Sequence, residues 1–305
     1  MVESLFQSFV KRVESEHLFV EGIAIADADH ILLEHHFTPD KPRNIYSHTK
    51  SYMSTAAGIA ISEGKLSLED KLADFFPEKL PKDPQPELFD ITLQDLLTMS
   101  SGFNHSYLMS SDRRAGVGVP DYVAYMLSQK VEVKPGSAFL YSTADSILAG
   151  RMIEKAVGMR MSEYLYKHIF APLGQGFPIW ENDAEGHPVG GAGMFLKLSD
   201  MMKLGQLYLA GGKWHGEQLV DPAWIKEATR CQIETPNPEQ DIWKCGYGYQ
   251  FWMSPYEGAY RADGMYGQIT TVLPDKGLVV AIQCPEEGDF SKVKMVLHEE
   301  LLTAL

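Results

Sequence analysis

Apolar residues recur at helical spacing at the start of the chain and then alternate, and this change of period marks the first elements. Residues 3–16, with Leu5, Phe6, Phe9 and Val10 set among charges, read as an amphipathic helix. Residues 19–37 read as two strands turning at Asp27-Ala28-Asp29, with alternation in Ile23, Ile25 and then Ile31, Leu33. The stretch 47–63 is rich in Ser, Ala and Gly, and its small side chains let other elements pack on every side, which predicts a buried central helix. A polar loop follows at Pro81-Lys82-Asp83-Pro84-Gln85-Pro86. Helices are then predicted at 92–98, 121–129, 144–157, 162–170, 198–210 and 222–229. Pro120 precedes one, Gly158 follows another, and Ser162 is placed to cap a third, with Pro172 just beyond its end. Strand character returns at 247–253, 259–261, 267–273 and 277–284, with Pro274-Asp275-Lys276-Gly277 as a hairpin turn. A last amphipathic helix covers about 290–303.

Strands at both ends with helices between imply an α+β fold, in which an antiparallel sheet formed from both chain ends lies beside a mainly helical region. A chain of 305 residues can bury a large core. The pattern is read as a single domain, with a sheet subdomain at about 1–65 and 235–305 and a helical subdomain at about 66–234. The helix that opens at Ser47 falls at their junction, where clefts form.

Composition narrows the classes of function. A hydrophobic content of 45% and a charged content of 22% are ordinary for a globular protein. The net charge of −14 argues against nucleic acid or an anionic membrane as partner, since both need a basic surface. No apolar run reaches the ~20 residues of a membrane span, and the N-terminus lacks the uninterrupted apolar core of a signal peptide, so a cytoplasmic location is expected. Cys231, Cys245 and Cys284 are odd in number and lack metal-site spacing, which suits thiols in a reducing compartment. His35 and His36 point to opposite faces if they lie on a strand. No metal or other cofactor is expected, the partner is expected to be a small molecule or short peptide, and the oligomeric state is not set by the sequence.

Candidate chemistry centres on Ser47-His48-Thr49-Lys50. A lysine three residues after a serine on a helix shares its face, with Cβ atoms roughly 5–6 Å apart, so its amine can activate the hydroxyl as a nucleophile. The plainer alternative is Ser47 as a helix cap. The same spacing recurs at Ser8/Lys11, Ser62/Lys65 and Ser291/Lys294, but those pairs lie on charged amphipathic stretches or straddle Gly64, and read as solvated surface.

Several further segments fall in a shared order: Gly64-Lys65-Leu66-Ser67-Leu68-Glu69-Asp70, Ile91-Thr92-Leu93-Gln94-Asp95-Leu96-Leu97 leading to Ser101-Gly102, Lys134-Pro135-Gly136 ahead of Tyr141-Ser142-Thr143, Gly191-Ala192-Gly193-Met194 with Ser199-Asp200, Gly246-Tyr247-Gly248-Tyr249, and Gly264 with Gly267-Gln268. With these, the chain resembles the serine β-lactamase and penicillin-binding protein superfamily, in its class C-like esterase and peptidase branch, from about Phe19 to Pro274. The resemblance implies Ser47 as nucleophile, Lys50 as its activating partner and Tyr141 as a second basic or proton-relaying group, with the choice of general base left open. It implies an oxyanion hole from the backbone N–H groups of Ser47 and Met265, and a substrate lying along Gly264.

Two departures from the family pattern matter. The usual Tyr-x-Asn is Tyr141-Ser142-Thr143, so Thr143 replaces an amide, unless it only caps a helix beginning at Ala144. The strand motif Lys-Thr-Gly or His-x-Gly falls at Ala262-Asp263-Gly264, without its cation, and strand alternation predicts that Ala262 faces the cleft while Arg261 points away. His105, Arg113 and Arg114 are the candidate replacements for that charge. The expected function is a serine hydrolase acting on a small ester, amide or peptide through an acyl-enzyme. The alternatives are a true β-lactamase or D-alanyl-D-alanine carboxypeptidase, an acyltransferase, or a non-catalytic binding homologue.

Overall fold

The computed structural model describes residues 1–114, 119–236, 241 and 243–305. Its centre is a six-stranded sheet in which Ile31–His36, Gly22–Ala26, Leu278–Gln283, Gln268–Leu273, Tyr260–Gly264 and Trp252–Met253 lie side by side, every neighbour antiparallel. The two chain ends meet inside this sheet, with Gly22 opposite Gln283 and Ala26 opposite Val279.

Alternation then sorts the side chains between two cores. Ile23, Ile25, Ile269, Val280 and Ile282 face the terminal helices Val2–Ser15 and Phe290–Leu297. Ala24, Ala26, Ala262, Val279 and Ala281 face the helical side, where small residues let the helix Leu198–Leu209 lie close. Arg12 ties the terminal helices together through Glu299 at 2.7 Å and Glu300 at 2.9 Å.

The helix Thr49–Ser62 runs through the helical side with nearly every residue buried. Its composition explains this: a Cβ on Gly58 would lie 2.3 Å from the Trp224 ring, so only glycine admits that contact. Thr92 caps Leu93–Leu97 through a reciprocal bond with Asp95, and Asp121 caps Tyr122–Leu127. Thr143–Val157 ends at Gly158 in the left-handed region (φ 72°).

The departures from the sequence reading are local. Of the strand expected over 247–253 only Trp252–Met253 joins the sheet, because Tyr247 bridges to Ile233 and Trp252 instead. The helix expected to be capped by Ser162 starts at Met161, with Arg160 at its N-cap, and closes in a π turn over Tyr166–Phe170. A second sheet, built from Arg43–Asn44, Met194–Leu196 and Ile179–Trp180, has no counterpart among the expectations. Strands of two or three residues are too short to show a period. Its first strand leads directly into Ser47.

Candidate active site

Ser47 sits in a single turn, Tyr46–His48, that runs into the helix Thr49–Ser62. The Asn44 side chain fixes the entry by accepting the Tyr46 N–H at 2.9 Å. One turn on, the Lys50 amine is 1% exposed and has three acceptors. They are the Gly191 carbonyl at 2.7 Å, the Ser47 hydroxyl at 3.4 Å and the Thr143 hydroxyl at 3.5 Å. A Cβ on Gly191 would lie 2.9 Å from Lys50 Nζ and equally from Ser146 Cβ and Thr143 Cγ2, so a side chain here would disturb the lysine and its neighbours. Burial lowers the lysine pKa to about 7, the Arg113 charge adds to the effect, and Asp145 opposes it.

Tyr141 is half-buried, with its ring centre 5.1 Å from Lys50 Nζ. It stacks on Trp252 at 5.5 Å and meets Tyr247 edge-on at 6.1 Å. Burial raises the phenol pKa, against a hydrogen bond with Ser47 that lowers it. At neutral pH the phenol therefore keeps its proton while the lysine can lose one. The helix Thr143–Val157 begins at Thr143 itself, with Ser142 as N-cap, so the Thr143 hydroxyl is not the cap and turns to Lys50.

A cleft of about 240 Å³ opens from Ser47 and Tyr141. Met109, Trp243, Trp252, Gly264 and Met265 line it together with the charged Lys244, Arg261, Asp263 and Lys294. A Cβ on Gly264 would fall 2.1 Å from the Ile45 carbonyl, so this glycine is required first by the approach of the Ser47 segment to the strand.

The strand Tyr260–Gly264 corrects the expectation for position 262. Ala262 is 3% exposed and lies with Gly205, Tyr208 and Phe251 on the helical side, away from the cleft, and Arg261 takes the cleft side instead. Arg261 donates to Asp263 at 3.0 Å and to the Met253 and Trp243 carbonyls. Lys294 donates to the same Asp263 oxygen at 2.8 Å, so it belongs to the cleft and not to the solvated surface expected of Ser291/Lys294. Burial pushes the Asp263 carboxyl up, but Lys294 and Arg261 outweigh it and hold the group below the usual range.

The other proposed cations also move. His105 is exposed, packs edge-on against Tyr107 at 5.3 Å and does not bound the cleft. The Arg113 side chain is only 4% exposed and forks onto Glu181 at 2.9 and 3.1 Å, contrary to a solvated loop charge. The side chain of Arg114 lies outside the described residues.

Two buried polar groups escaped the sequence reading. His48 donates or accepts through Nε2 to Thr270 Oγ1 at 2.9 Å, and burial lowers its pKa to about 4, so it is neutral. Asp145, 1% exposed, accepts from Ser101 at 2.9 Å, and burial raises its pKa to about 7. Asp145 sits in the first turn of the helix Thr143–Val157, where an acidic residue is ordinary, so the sequence carries no local signal of its burial. Among the described residues no group of three or more His, Cys, Asp or Glu is placed to hold a metal ion.

An antiparallel sheet joined from both chain ends beside a helical region is a fold this chain shares with solved structures of a penicillin-binding protein homologue and a putative β-lactamase, and here a serine and a buried lysine lie one turn apart at the junction. The chain belongs to the Beta-lactamase family, whose sequence profile matches residues 10–297. It is 31% identical over 189 residues to a lovastatin esterase of Penicillium rubens, a match covering 54% of this chain and 46% of that protein. It is 29% identical over 138 residues to a putative D-alanyl-D-alanine carboxypeptidase of Escherichia coli, covering 43% of this chain and 32% of that one. The chain thus spans less than half the length of these curated relatives. Among solved structures, EstCE1, a hydrolase with promiscuous acyltransferase activity, superposes with a TM-score of 0.76 at 17% identity, covering 98% of both chains.

Proposed function

We propose that the protein is a serine hydrolase that cleaves small esters, amides or short peptides through an acyl-enzyme on Ser47. The observation that carries this reading is the buried Lys50 amine, held by the Gly191 carbonyl and 3.4 Å from the Ser47 hydroxyl, with a pKa lowered to about 7. Ser47 Oγ attacks the substrate carbonyl carbon and its proton passes to Lys50 Nζ. The backbone N–H groups of Ser47 and Met265 stabilise the oxyanion. Collapse breaks the bond to the leaving alcohol or amine, which takes a proton from the Tyr141 phenol, and that proton is restored from Lys50. Water then attacks the Ser47 ester along the reverse proton path and releases the acid. Thr143 orients Lys50, and Gly264 offers backbone to the substrate.

The esterase and the carboxypeptidase among the relatives support the choice of ester or amide bonds. The β-lactamase and carboxypeptidase readings need a cation free to bind a substrate carboxylate. Of the three cations that line the cleft among the described residues, Arg261 and Lys294 share Asp263 and Lys244 lies 3.6 Å from Asp241, which disfavours both readings. The acidic composition argues against a nucleic-acid partner and so favours a small-molecule or short-peptide substrate, and the odd number of cysteines suits a reducing compartment such as the cytoplasm. Among the described residues no helix is long and apolar enough to cross a membrane.

A panel of p-nitrophenyl esters, a peptide ending in D-alanyl-D-alanine, a penicillin and a cephalosporin tests the proposal with wild-type and Ser47→Ala protein. Short esters turned over fastest, and no turnover by Ser47→Ala, is the expected result. Faster cleavage of the β-lactams or the peptide would move the alternative to first place.

A further inference from the structure

The segment 107–113 is tied to the site at both of its ends. At its start the Tyr107 carbonyl accepts the Ala144 N–H at 3.1 Å and the Ser142 hydroxyl at 3.3 Å, which fixes it to the stretch carrying Tyr141 and Thr143. At its end Arg113 forks onto Glu181 and also donates to the Leu108 carbonyl at 2.7 Å. Leu108 lies at φ 54°, in the left-handed region that residues other than glycine rarely adopt, and its carbonyl is the one that accepts the Arg113 bond. Glu181 is itself anchored, its backbone N–H donating to the Gly193 carbonyl at 2.9 Å.

Between these ties Met109 lines the same cleft as Ser47. Asp112 accepts its backbone N–H at 3.0 Å, and its sulfur accepts the Thr143 hydroxyl at 3.3 Å. The hydroxyl that contacts Lys50 thus spends its proton on a thioether, and the wall it shows to a substrate is apolar. Resting on the hydrolase reading above, we propose that Met109 is the residue that limits the size of the substrate's apolar group, and that the Arg113–Glu181 pair is a positioning clasp that holds it there. Rejection by such a wall is worth roughly 10–200-fold per methylene in a hydrophobic pocket.

The test measures kcat/KM over two series of p-nitrophenyl or alkyl esters, one lengthened on the acyl side and one on the alcohol side. In Met109→Ala the ratio for the six-carbon over the two-carbon member should rise about tenfold or more in one series. In Met109→Phe it should fall, and Met109→Leu, which conserves volume, should stay near wild type. Arg113→Met should shift the ratio in the same direction as Met109→Ala, and adding it to Met109→Ala should change the ratio little further, because both act through one side chain. Arg113→Lys, which keeps the charge but not the fork, should restore part of the selectivity. Ratios unchanged in both series for the Ala and Phe variants, or an Arg113→Met effect that adds fully to Met109→Ala, would overturn the inference. Failure of the hydrolase reading is separate, because it shows in the wild-type enzyme as absent ester turnover or turnover that survives Ser47→Ala.

Discussion

If Lys50 is the group that accepts the serine proton, kcat/KM for a neutral ester must follow its deprotonation. An amine at the ordinary 10.5 is neutral in roughly one molecule in three thousand at pH 7, whereas one lowered to about 7 is neutral in about half of them. Burial of the amine is therefore asked to supply about three orders of magnitude in available base. The profile should rise about tenfold between pH 6 and pH 8 and flatten above it. Lys50→Met should abolish this limb and lower kcat/KM by roughly 10²–10⁴. One rival titrates in the same range, the Asp145 carboxyl, raised to about 7. The signs separate the two. Asp145 stabilises the Lys50 ammonium, so Asp145→Asn should keep the limb and move it to lower pH. Arg113 destabilises that ammonium, so Arg113→Met should move the limb to higher pH. His48, lowered to about 4, and Tyr141, raised above the ordinary phenol value, lie outside the window. A limb near pH 7 that persists in Lys50→Met, or vanishes in Asp145→Asn, would refute the assignment.

Three further outcomes follow from the strand Tyr260–Gly264 and the charges beside it. Ala262→Lys should not improve β-lactam turnover but destabilise the protein by several kcal/mol, since the side chain would be buried under Leu198–Leu209, and a thermal melt reads this directly. Gly264→Ala should lower both stability and turnover, because its Cβ would meet the Ile45 carbonyl at 2.1 Å; wild-type values for both would show that the approach relaxes freely. Lys294→Met should weaken turnover of carboxylate-bearing esters relative to their neutral analogues by no more than about tenfold, because Asp263 already engages this cation; a loss of several decades would assign Lys294 the role of carboxylate anchor.

The parts of the site carried by helix periodicity were legible in the sequence. Ser47 and Lys50 share a face because three residues nearly complete a turn, and the run of small residues beyond them announced a helix packed on all sides. The strands Gln268–Leu273 and Leu278–Gln283 and the turn between them at Gly277, φ 62°, were marked by alternation and turn chemistry. The face of Ala262 was not legible. Tyr260-Arg261-Ala262-Asp263-Gly264 puts charges at alternate positions, which elsewhere mark solvent, whereas here Arg261 is 1% exposed and Asp263 is paired to it and to Lys294. The burial of Arg113 depends on Glu181, 68 residues away, and no local pattern encodes a partner at that distance. The same holds for the small sheet that leads into Ser47, whose strands come from three separated stretches of chain.

A covalent acyl group on Ser47 should be visible by intact-protein mass spectrometry on the enzyme quenched in acid during turnover of a slow ester, followed by peptide mapping. The mass should increase by the acyl group less one hydrogen, located on the peptide containing Ser47 and absent from Ser47→Ala. Ser8, Ser62 and Ser291 precede lysines at the same spacing and serve as controls within the same chain. An adduct on any of those three, or turnover with no adduct under conditions where acyl-enzyme breakdown is rate-limiting, would contradict an acyl-enzyme on Ser47.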